Sequence, residues 1–323
     1  MDKKRVLICG ASGFIGRNIA EELSKDGRYT VTGTYLSSEP FNNPNINLVK
    51  IDLRDAVQVG RIVKDQDIII QAAATTSGAK DIIARPYIHV TDNALINSLL
   101  FRAAYENKLS HVLFFSCTVM YQSSQRPLKE TDFDPAKDIC SQYFGVGWTK
   151  VYLEKMSEFY SRIGETKYTV IRHSNIYGPY DKFDLDKSHV FGATVTKVLS
   201  APVGGKLTVW GSGEEERDLL YVSDLVNFVR LAIEKQEEKF AIFNAGLGKS
   251  ISIKDLVTKI IDISGKRIDL EFDTSKPTIK TKLCLDSSKA RTALGWQPQV
   301  SLEEGIKLTL DWRKNQISGV KKI

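Results

Sequence analysis

The chain has 323 residues, 42% hydrophobic and 26% charged, the balance of a water-soluble globular protein. It contains no apolar run of about 18 residues that would predict a membrane span, and its net charge of +6 forms no basic stripe typical of nucleic-acid binding. The four cysteines are scattered without a histidine cluster, which argues against disulfides and metal sites and favours a cytoplasmic protein.

Strand and helix patterns alternate through the first half of the chain. Short apolar runs predict strands, and apolar residues about four positions apart, such as Ile15, Ile19 and Leu23, predict amphipathic helices. The predicted strands span 5–9, 29–35, 47–51, 67–74, 111–116 and 168–172, and the predicted helices span 15–23, 57–63, 94–107 and 148–163. This alternation with short connections predicts an α/β fold, a Rossmann-type doubly wound parallel sheet.

The pattern weakens after residue 178. Helices are predicted at 191–199, 223–234 and 252–263, with Ser252 as the cap of the last one, and strands at 207–210 and 240–244. We expect a dinucleotide-binding domain over residues 1–178, to which the strand near 240–244 returns. Residues 179–323 would then form a smaller mixed α/β lobe for the substrate.

A glycine-rich turn follows the first predicted strand. Gly10 permits the tight turn, Gly13 lets the backbone approach a pyrophosphate, and Gly16 lets the helix pack on the strand. The start of that helix offers free N–H groups and a partial positive charge to phosphates. This context predicts a dinucleotide site that also includes Ser12, Phe14 and Ile15.

The end of the second predicted strand bears on which dinucleotide is bound. An acidic residue there would bind the adenine ribose hydroxyls, and an arginine would suit the 2′-phosphate of NADP. The segment 34–38 reads Thr-Tyr-Leu-Ser-Ser and has neither. Because a 2′-phosphate without a nearby cation would be poorly matched, the sequence favours NAD over NADP.

Six segments, in order along the chain, carry a resemblance to a known family. They are residues 10–16, Asp52-Leu53-Arg54-Asp55, Ala72-Ala73-Ala74, Arg172 to Pro179 (Arg-His-Ser-Asn-Ile-Tyr-Gly-Pro), Trp210 to Asp224, and Leu294 to Pro298. With these segments the chain resembles the extended short-chain dehydrogenase/reductase (NAD-dependent epimerase/dehydratase) family, whose members act on nucleotide-linked sugars. The resemblance implies a nucleotide-sugar site in the lobe 179–323.

The resemblance also implies roles for individual residues. Asp52 and Leu53 would contact the adenine, and Ala72, Ala73 and Ala74 would lie beside the cofactor ribose. Arg217 would hold the diphosphate of the sugar nucleotide, although it could instead pair with the acidic run 214–216 at the surface. Asn175 would contact the substrate or, alternatively, act as a structural cap.

Two segments favour a GDP-linked sugar. Ser188-His189-Val190 is similar to a segment of the GDP-fucose synthases, a branch of the family in which this histidine acts near the sugar. Residues 116–121 and 146–150 together resemble a branch of dehydrogenases that act on GDP-linked manno-heptose in capsule synthesis. The first of these similarities places His189 and Val190 among the substrate-binding residues.

The catalytic residues of the family are only partly present. The family uses a tyrosine that takes the alcohol proton, a lysine four residues later and a serine or threonine after the fifth strand. Lys150 fits the lysine, which also binds the cofactor ribose, but Val146 stands at the tyrosine position and Cys117 at the serine position. Four groups could substitute in proton transfer or hydrogen bonding: Thr118, Cys117 if its pKa is lowered, Tyr143 and His189.

The sequence therefore predicts an NAD-dependent oxidoreductase that oxidises a hydroxyl, expected at C4, of a GDP-linked hexose or heptose for surface polysaccharide synthesis. An epimerase or 4-ketoreductase, and a catalytically impaired dinucleotide-binding subunit, are the alternatives. A 4,6-dehydratase would need a Thr-Asp-Glu run where this chain has residues 117–119, Cys-Thr-Val. We also expect a homodimer or homotetramer, formed through the apolar faces of the two longest helices at Leu99, Phe101, Tyr152 and Met156.

Overall fold

The computed structural model describes residues 2–75, 84–185, 188–276 and 278–320. Its strands, numbered along the chain, are β1 (Lys4–Cys9), β2 (Tyr29–Tyr35), β3 (Ile46–Lys50), β4 (Ile68–Gln71), β5 (His111–Cys117), β6 (Lys167–His173), β7 (Asn175–Tyr177), β8 (Gly205–Trp210), β9 (Glu216–Tyr221), β10 (Phe240–Ala245), β11 (Ser250–Ser252) and β12 (Ile268–Asp273). Seven of them form a parallel sheet in the order β10-β6-β5-β4-β1-β2-β3. The predicted doubly wound parallel sheet is confirmed.

Helices cover both faces of this sheet. In chain order they are α1 (Phe14–Leu23), α2 (Ala56–Val63), α3 (Thr91–Glu106), α4 (Phe144–Ile163), α5 (Val190–Ser200), α6 (Val222–Lys235), α7 (Ile253–Ser264), α8 (Ser288–Leu294) and α9 (Leu302–Val320). One core joins α1, α6 and α8 to the sheet, and a second core joins α2, α3 and α4 to its other face. Because helices cover both faces, every residue of β4 is buried.

The C-terminal half of the chain forms two small sheets with their own helices and also contributes to the main sheet. Strands β7, β9 and β11 form one small sheet and β8 and β12 another, with α5, α7 and α9 packed around Phe191, Leu256 and Leu310. The same half returns β10 to the edge of the main sheet and supplies α6 and α8 to one face. The division into 1–178 and 179–323 stays a proposal. No helix within the described ranges is long and apolar enough to cross a bilayer.

The predicted cap of α7 is confirmed, and the tryptophan of the C-terminal segment lies in the core. The Ser252 hydroxyl accepts a hydrogen bond from the Asp255 N–H and caps α7. Trp296 is fully buried, and its indole N–H donates to the Asp224 carbonyl oxygen at 2.9 Å. The helix that carries Lys150, however, begins at Phe144 rather than at Trp148, because a turn at Ser141–Tyr143 leads directly into it.

The exposed faces of α3 and α4 differ from the expectation. The two helices pack side by side, and Tyr152 is exposed there, whereas Leu99 and Met156 are half-buried. The prediction that Phe101 is exposed is wrong: its side chain is fully buried, edge-on to Phe114 at 5.5 Å. The large apolar side chains that these helices do expose are Leu95, Tyr105, Phe144, Tyr152, Phe159 and Ile163.

Candidate active site

The candidate site lies at the edge of the main sheet formed by the carboxyl ends of its strands. From β1 the chain builds β2 and β3 to one side and β4, β5 and β6 to the other, so the strand order reverses beside β1. In sheets of this kind ligands bind outside the carboxyl ends at this reversal. The glycine turn follows β1, and the alanine segment, residues 72–74, follows β4. Cys117 ends β5 and His173 ends β6. Residues far apart in sequence therefore meet at one edge.

The glycine turn is lined by backbone. Gly10 has a φ of +76°, and a Cβ there would lie 2.8 Å from the Ala73 Cα. A Cβ on Gly16 would lie 2.8 Å from the carbonyl carbon of Gly10. Gly13 precedes α1, none of the described side chains caps that helix, and its first turn has no acidic residue. This arrangement fits the pyrophosphate of a dinucleotide, because the first N–H groups of α1 need partners. Phe14 and Ile15 open the helix and pack partly into the core.

Two hydroxyl contacts tie the turn to the end of β2. The Gly10 N–H donates to Thr34 Oγ1 at 3.1 Å, and the hydroxyls of Ser12 and Ser38 lie 2.6 Å apart. Thr34 and Ser38 were missed in the sequence because only an acid or an arginine was sought there. Their small polar side chains place hydroxyls where the adenine ribose is expected.

Arg17 is a cation near this region that the sequence reasoning did not consider. Its guanidinium lies 4.5 Å from the ring centroid of Phe41, in the loop after β2, and 3.8 Å from that of Tyr180. Its Nε pairs with Glu21 at 2.9 Å. The arginine is therefore already engaged by a carboxylate and two rings.

Residues after β3 and β4 complete the candidate cofactor region. Leu53 is buried under α2. Asp52 accepts hydrogen bonds from the Arg54 guanidinium at 2.8 and 2.9 Å, and this pairing lowers the pKa of Asp52. The alanine segment, Ala72, Ala73 and Ala74, leaves β4 alongside the turn, where the Ala72 N–H donates to the Cys9 carbonyl at 3.1 Å.

Lys150 reaches from α4 to the end of β5. Its ammonium donates to the carbonyl oxygen of Phe115 at 2.7 Å and lies 4.8 Å from the centroid of the Phe114 ring. Burial lowers the pKa of Lys150, while Cys117 and Glu154 act in the opposite direction. The helix thus places a cation at the carboxyl edge of the sheet, where the family resemblance expects a ribose-binding lysine.

Val146 lies one turn before Lys150 on the same helix, and both side chains are half-buried. The valine side chain has no proton to exchange. The following residue, Gly147, packs against the preceding loop: a Cβ there would lie 3.1 Å from the Ile139 side chain. The start of α4 is therefore fitted closely to this loop.

Cys117 ends β5, the strand whose Phe115 carbonyl binds Lys150, and Thr118 follows it directly. Burial raises the pKa of the Cys117 thiol more than the nearby Lys150 lowers it, so the thiol keeps its proton at neutral pH. Thr118 is buried, and its carbonyl accepts from the Tyr121 N–H at 3.0 Å. Both residues can offer a hydrogen-bond donor to a reacting oxygen.

Tyr143 immediately precedes α4 and is half-buried. Burial raises the pKa of its phenol, the positive charge of Arg217 lowers it, and Cys117 and Cys140 raise it. Tyr143 packs against a buried cluster that includes Met120, after β5, and Leu283 of the lobe. The loop before α4 therefore brings a phenol between the two parts of the site.

His189 and Val190 begin α5. His189 keeps part of its surface open to solvent, yet the surrounding protein removes enough water to lower its pKa, and Lys182 and His89 lower it further. His173 ends β6 and belongs to the segment 172–179 that carries the family resemblance, but the sequence assigned it no role of its own. Burial lowers the pKa of His173, and the charges of Lys150 and His189 lower it further.

A buried polar network supports the end of β5. Glu154 accepts from the Ser116 hydroxyl at 2.6 Å and from Arg172 at 2.7 and 3.0 Å. Arg172 also donates to the Tyr121 hydroxyl at 2.8 Å, which donates to Asn244 at 2.9 Å. Because Glu154 and Arg172 are both almost fully buried, removing either would leave an unpaired charge at a cost of about 3–5 kcal/mol. The network therefore fixes the strand ends that carry the site.

Asn175 and Arg217 lie on adjacent strands of the lobe. The Asn175 amide donates to the Asp218 carbonyl at 3.2 Å, so it links β7 to β9. Arg217 donates to the carbonyl oxygens of Glu216, Thr281 and Ile279 at 2.7–2.9 Å, while Glu216 itself pairs with Lys282. The arginine is thus oriented by backbone. In the described part of the chain, no group of three or more His, Cys, Asp or Glu side chains is placed to hold a metal ion.

Known proteins resemble the chain over nearly its whole length. A sequence model of the NAD dependent epimerase/dehydratase family matches residues 6–246. A GDP-L-fucose synthase of Azorhizobium caulinodans is 27% identical over 96% of this chain and 96% of its own length. A GDP-L-colitose synthase of Yersinia pseudotuberculosis is 27% identical over 97% of this chain and 98% of its own. A crystal structure of UDP-glucose 4-epimerase from Thermotoga maritima, with UDP-glucose, matches with a TM-score of 0.87 at 27% identity, covering 97% of this chain and 99% of the other. The chain belongs to the NAD-dependent epimerase/dehydratase family.

Proposed function

We propose that this protein is an NAD-dependent nucleotide-sugar oxidoreductase that oxidises the C4 hydroxyl of a GDP-linked hexose or heptose. The observation that carries the proposal is the placement of a phosphate-accepting glycine turn and Lys150 at one sheet edge, with Val146 one helical turn from the lysine. The site keeps the groups that bind a cofactor but lacks the usual proton-transferring phenol. Another group must then take the alcohol proton, since general acid–base catalysis contributes roughly 10²–10⁴-fold.

The cofactor in this proposal is NAD, which supplies the hydride acceptor when bound. The N–H groups at the start of α1 would hold its pyrophosphate, with Gly10, Gly13 and Gly16 allowing the close approach. Lys150 would bind the nicotinamide ribose, and Asp52, Leu53 and the alanine segment would line the adenosine side. NAD is favoured over NADP because Arg17, the cation near the end of β2, is engaged by Glu21 and two rings.

The substrate in this proposal is a GDP-linked sugar. The names of the two curated relatives, a GDP-L-fucose synthase and a GDP-L-colitose synthase, support the guanosine diphosphate part. Arg217 would hold the diphosphate, since backbone carbonyls fix its guanidinium. Asn175, His189 and Val190 would contact the sugar. The product would serve surface polysaccharide synthesis. The enzyme itself would be a cytoplasmic homo-oligomer.

Proton handling is divided among the remaining polar groups. Thr118 and the protonated Cys117 would donate hydrogen bonds to the reacting oxygen, because Cys117 ends β5 and Thr118 follows it directly. Tyr143 would need a strong base to ionise, since burial raises the pKa of its phenol. His189 is neutral at physiological pH and could accept a proton on the sugar side.

An epimerase or 4-ketoreductase is the second candidate, supported by the UDP-glucose 4-epimerase among the structural relatives. Such an enzyme returns hydride to the sugar, so that no keto sugar accumulates. A catalytically impaired dinucleotide-binding subunit would bind NAD and yield no sugar product at all.

A product analysis separates these functions. The purified protein is incubated with NAD and a panel of GDP- and UDP-linked hexoses and heptoses in deuterated water, and the sugars are analysed by mass spectrometry. The proposal expects a product that has lost two hydrogens, formed from a GDP-linked sugar with matching NADH. An epimer without NADH would favour the second candidate, and NAD binding without any product would favour the impaired subunit. Lys150→Ala serves as the inactive control.

A further inference from the structure

His173 occupies a central place in the candidate site. It is the last residue of β6, where it pairs with Cys117 of β5 on one side and Ala245 of β10 on the other. Its ring packs edge-on to Phe115, with 6.0 Å between the centroids. The strand pairing therefore sets the imidazole at the carboxyl edge of the sheet, beside the residues already assigned to the site.

The hydrogen bond of the ring defines its tautomer. Nδ1 lies 2.7 Å from the carbonyl oxygen of Ser174. A carbonyl oxygen can only accept, so Nδ1 carries the proton, and the other nitrogen of the neutral ring, Nε2, has a free lone pair. The backbone thus presents His173 as a hydrogen-bond acceptor at Nε2.

The charged and titratable groups that face His173 come from three elements. They are Lys150 of α4, Cys117 of β5 and His189 at the start of α5, whereas Ala245 on β10 is apolar. Lys150 would bind the cofactor ribose and His189 would contact the sugar. Because Lys150 donates to the Phe115 carbonyl and the His173 ring packs on the Phe115 ring, the imidazole lies beside the lysine on the cofactor side of the site.

We propose that His173, through Nε2, accepts the proton of the sugar hydroxyl that is oxidised. This inference rests on the proposed function. The O–H bond breaks and its proton forms an N–H bond at Nε2, while the hydride from the same carbon goes to the bound NAD and a C=O bond forms. The half-buried imidazolium then releases the proton to water. His173 thus accepts the proton that the valine at position 146 cannot accept.

The state of the neighbouring groups supports this assignment. Burial, together with the nearby Lys150 and His189, lowers the pKa of His173 to about 4, while the bond to Ser174 opposes the change. The ring is therefore neutral and able to accept a proton at physiological pH. Burial raises the pKa values of both Cys117 and Tyr143, so neither is an available base there.

The test compares two substitutions with a matched control. His173→Asn keeps an amide N–H near the Nδ1 position and removes Nε2, and His173→Ala leaves room for added imidazole. His111→Asn is the control, because His111 lies at the opposite end of the paired strands, bonded to Thr169 at 2.8 Å. Single-turnover NADH formation should fall by about 100-fold or more in both His173 variants and stay unchanged in the control. Added imidazole should restore part of the rate of His173→Ala.

A second arm uses the unsubstituted protein and stays informative if the variants misfold. The oxidation rate should be flat from neutral to alkaline pH and fall in the acid range, since a base with a low pKa is lost only there. In NMR spectra with labelled histidines, the His173 ring should titrate near pH 4 and shift when NAD is added. A rate that rises through pH 9–10 would overturn the assignment in favour of a tyrosine.

The outcomes also separate this inference from the proposed function. Wild-type turnover by a folded His173→Asn variant, or loss of rate in His173→Ala that imidazole cannot restore, would overturn the role of His173 and leave the oxidoreductase intact. Failure of the unsubstituted protein to form keto sugar or NADH with any sugar nucleotide would instead overturn the proposed function, and this inference with it.

Discussion

Replacing Gly16 by alanine should remove most of the affinity for NAD(H). A Cβ at residue 16 would lie 2.8 Å from the Gly10 carbonyl carbon and 3.1 Å from the Ala11 Cα. Both are backbone atoms of the turn, so they cannot rotate away as the end of a flexible side chain would. The turn must open, and the N–H groups at the start of α1 then lose the arrangement that fits a pyrophosphate.

The expected loss follows from the overlap. Forcing one extra carbon into a packed site costs about 1–3 kcal/mol. If that cost falls on the binding-competent turn, the dissociation constant should rise roughly 5- to 150-fold, at about 1.4 kcal/mol for each factor of ten. Gly60→Ala is the matched control, because a Cβ on Gly60 in α2 meets nothing within 4 Å. It should leave affinity unchanged and stabilise the protein by about 0.5–1 kcal/mol.

Isothermal titration of ligand-stripped protein with NAD and NADH measures both variants, and thermal unfolding shows whether each is folded. If a folded Gly16→Ala variant bound NADH as tightly as the parent, the assignment of this turn to the pyrophosphate would be refuted. Equal losses of NAD(H) affinity in Gly16→Ala and Gly60→Ala would also refute it, because only Gly16→Ala alters the turn.

Four further results are expected. Lys150→Ala removes the cation and its bond to Phe115, so turnover should fall at least about tenfold in a steady-state NADH assay; an unchanged rate would exclude the lysine. Val146→Tyr should oxidise sugar no faster than the parent, because His173 already takes the proton; a clear gain in a folded, sugar-binding variant would argue against the role of His173. Burial raises the pKa of Asp181 to about 7, so the folded state holds a proton that the unfolded state loses near pH 4, and stability falls as pH rises between these values. Asp181→Asn should therefore raise stability by on the order of 2 kcal/mol at pH 8, with little change at pH 4, and a melting curve shifted equally at both would contradict this. Light scattering at micromolar concentration should show a dimer through α3 and α4 that Tyr152→Glu weakens; a monomeric parent would contradict the interface.

The cofactor region could be predicted from sequence because its signal is local. A strand, three glycines at fixed spacing and an amphipathic helix lie within the first 23 residues, and each glycine is needed for a short-range backbone reason. The parallel sheet was likewise predictable, since β4 and β5 are buried on both faces and read as apolar runs.

The surroundings of the catalytic residues could not be read in the same way. Tyr143 packs against a cluster that contains Leu283 of the lobe, and these two residues are far apart in the chain. His173 gains its place from strand pairing with Cys117 and from the approach of α4 and α5. No spacing in the sequence encodes such contacts.

Intrinsic helix propensity predicts the wrong start for α4. Residues 144–147 read Phe-Gly-Val-Gly, and two glycines disfavour helix by about 1 kcal/mol each relative to alanine. The helix nevertheless starts at Phe144, because Gly147 packs closely against Ile139 and has no room for a Cβ without displacement of that side chain. Tertiary packing there outweighs the intrinsic preference.

The most direct test of the central claim follows the hydrogen on C4 of the sugar. GDP-linked hexose and heptose carrying deuterium at C4 are incubated with the protein and NAD, and both the nucleotide sugar and the dinucleotide are analysed by mass spectrometry. The account predicts deuterium in the reduced dinucleotide and an equal amount of keto sugar that lacks it. Deuterium retained on an epimerised sugar, with no net reduced dinucleotide, would contradict net oxidation at C4.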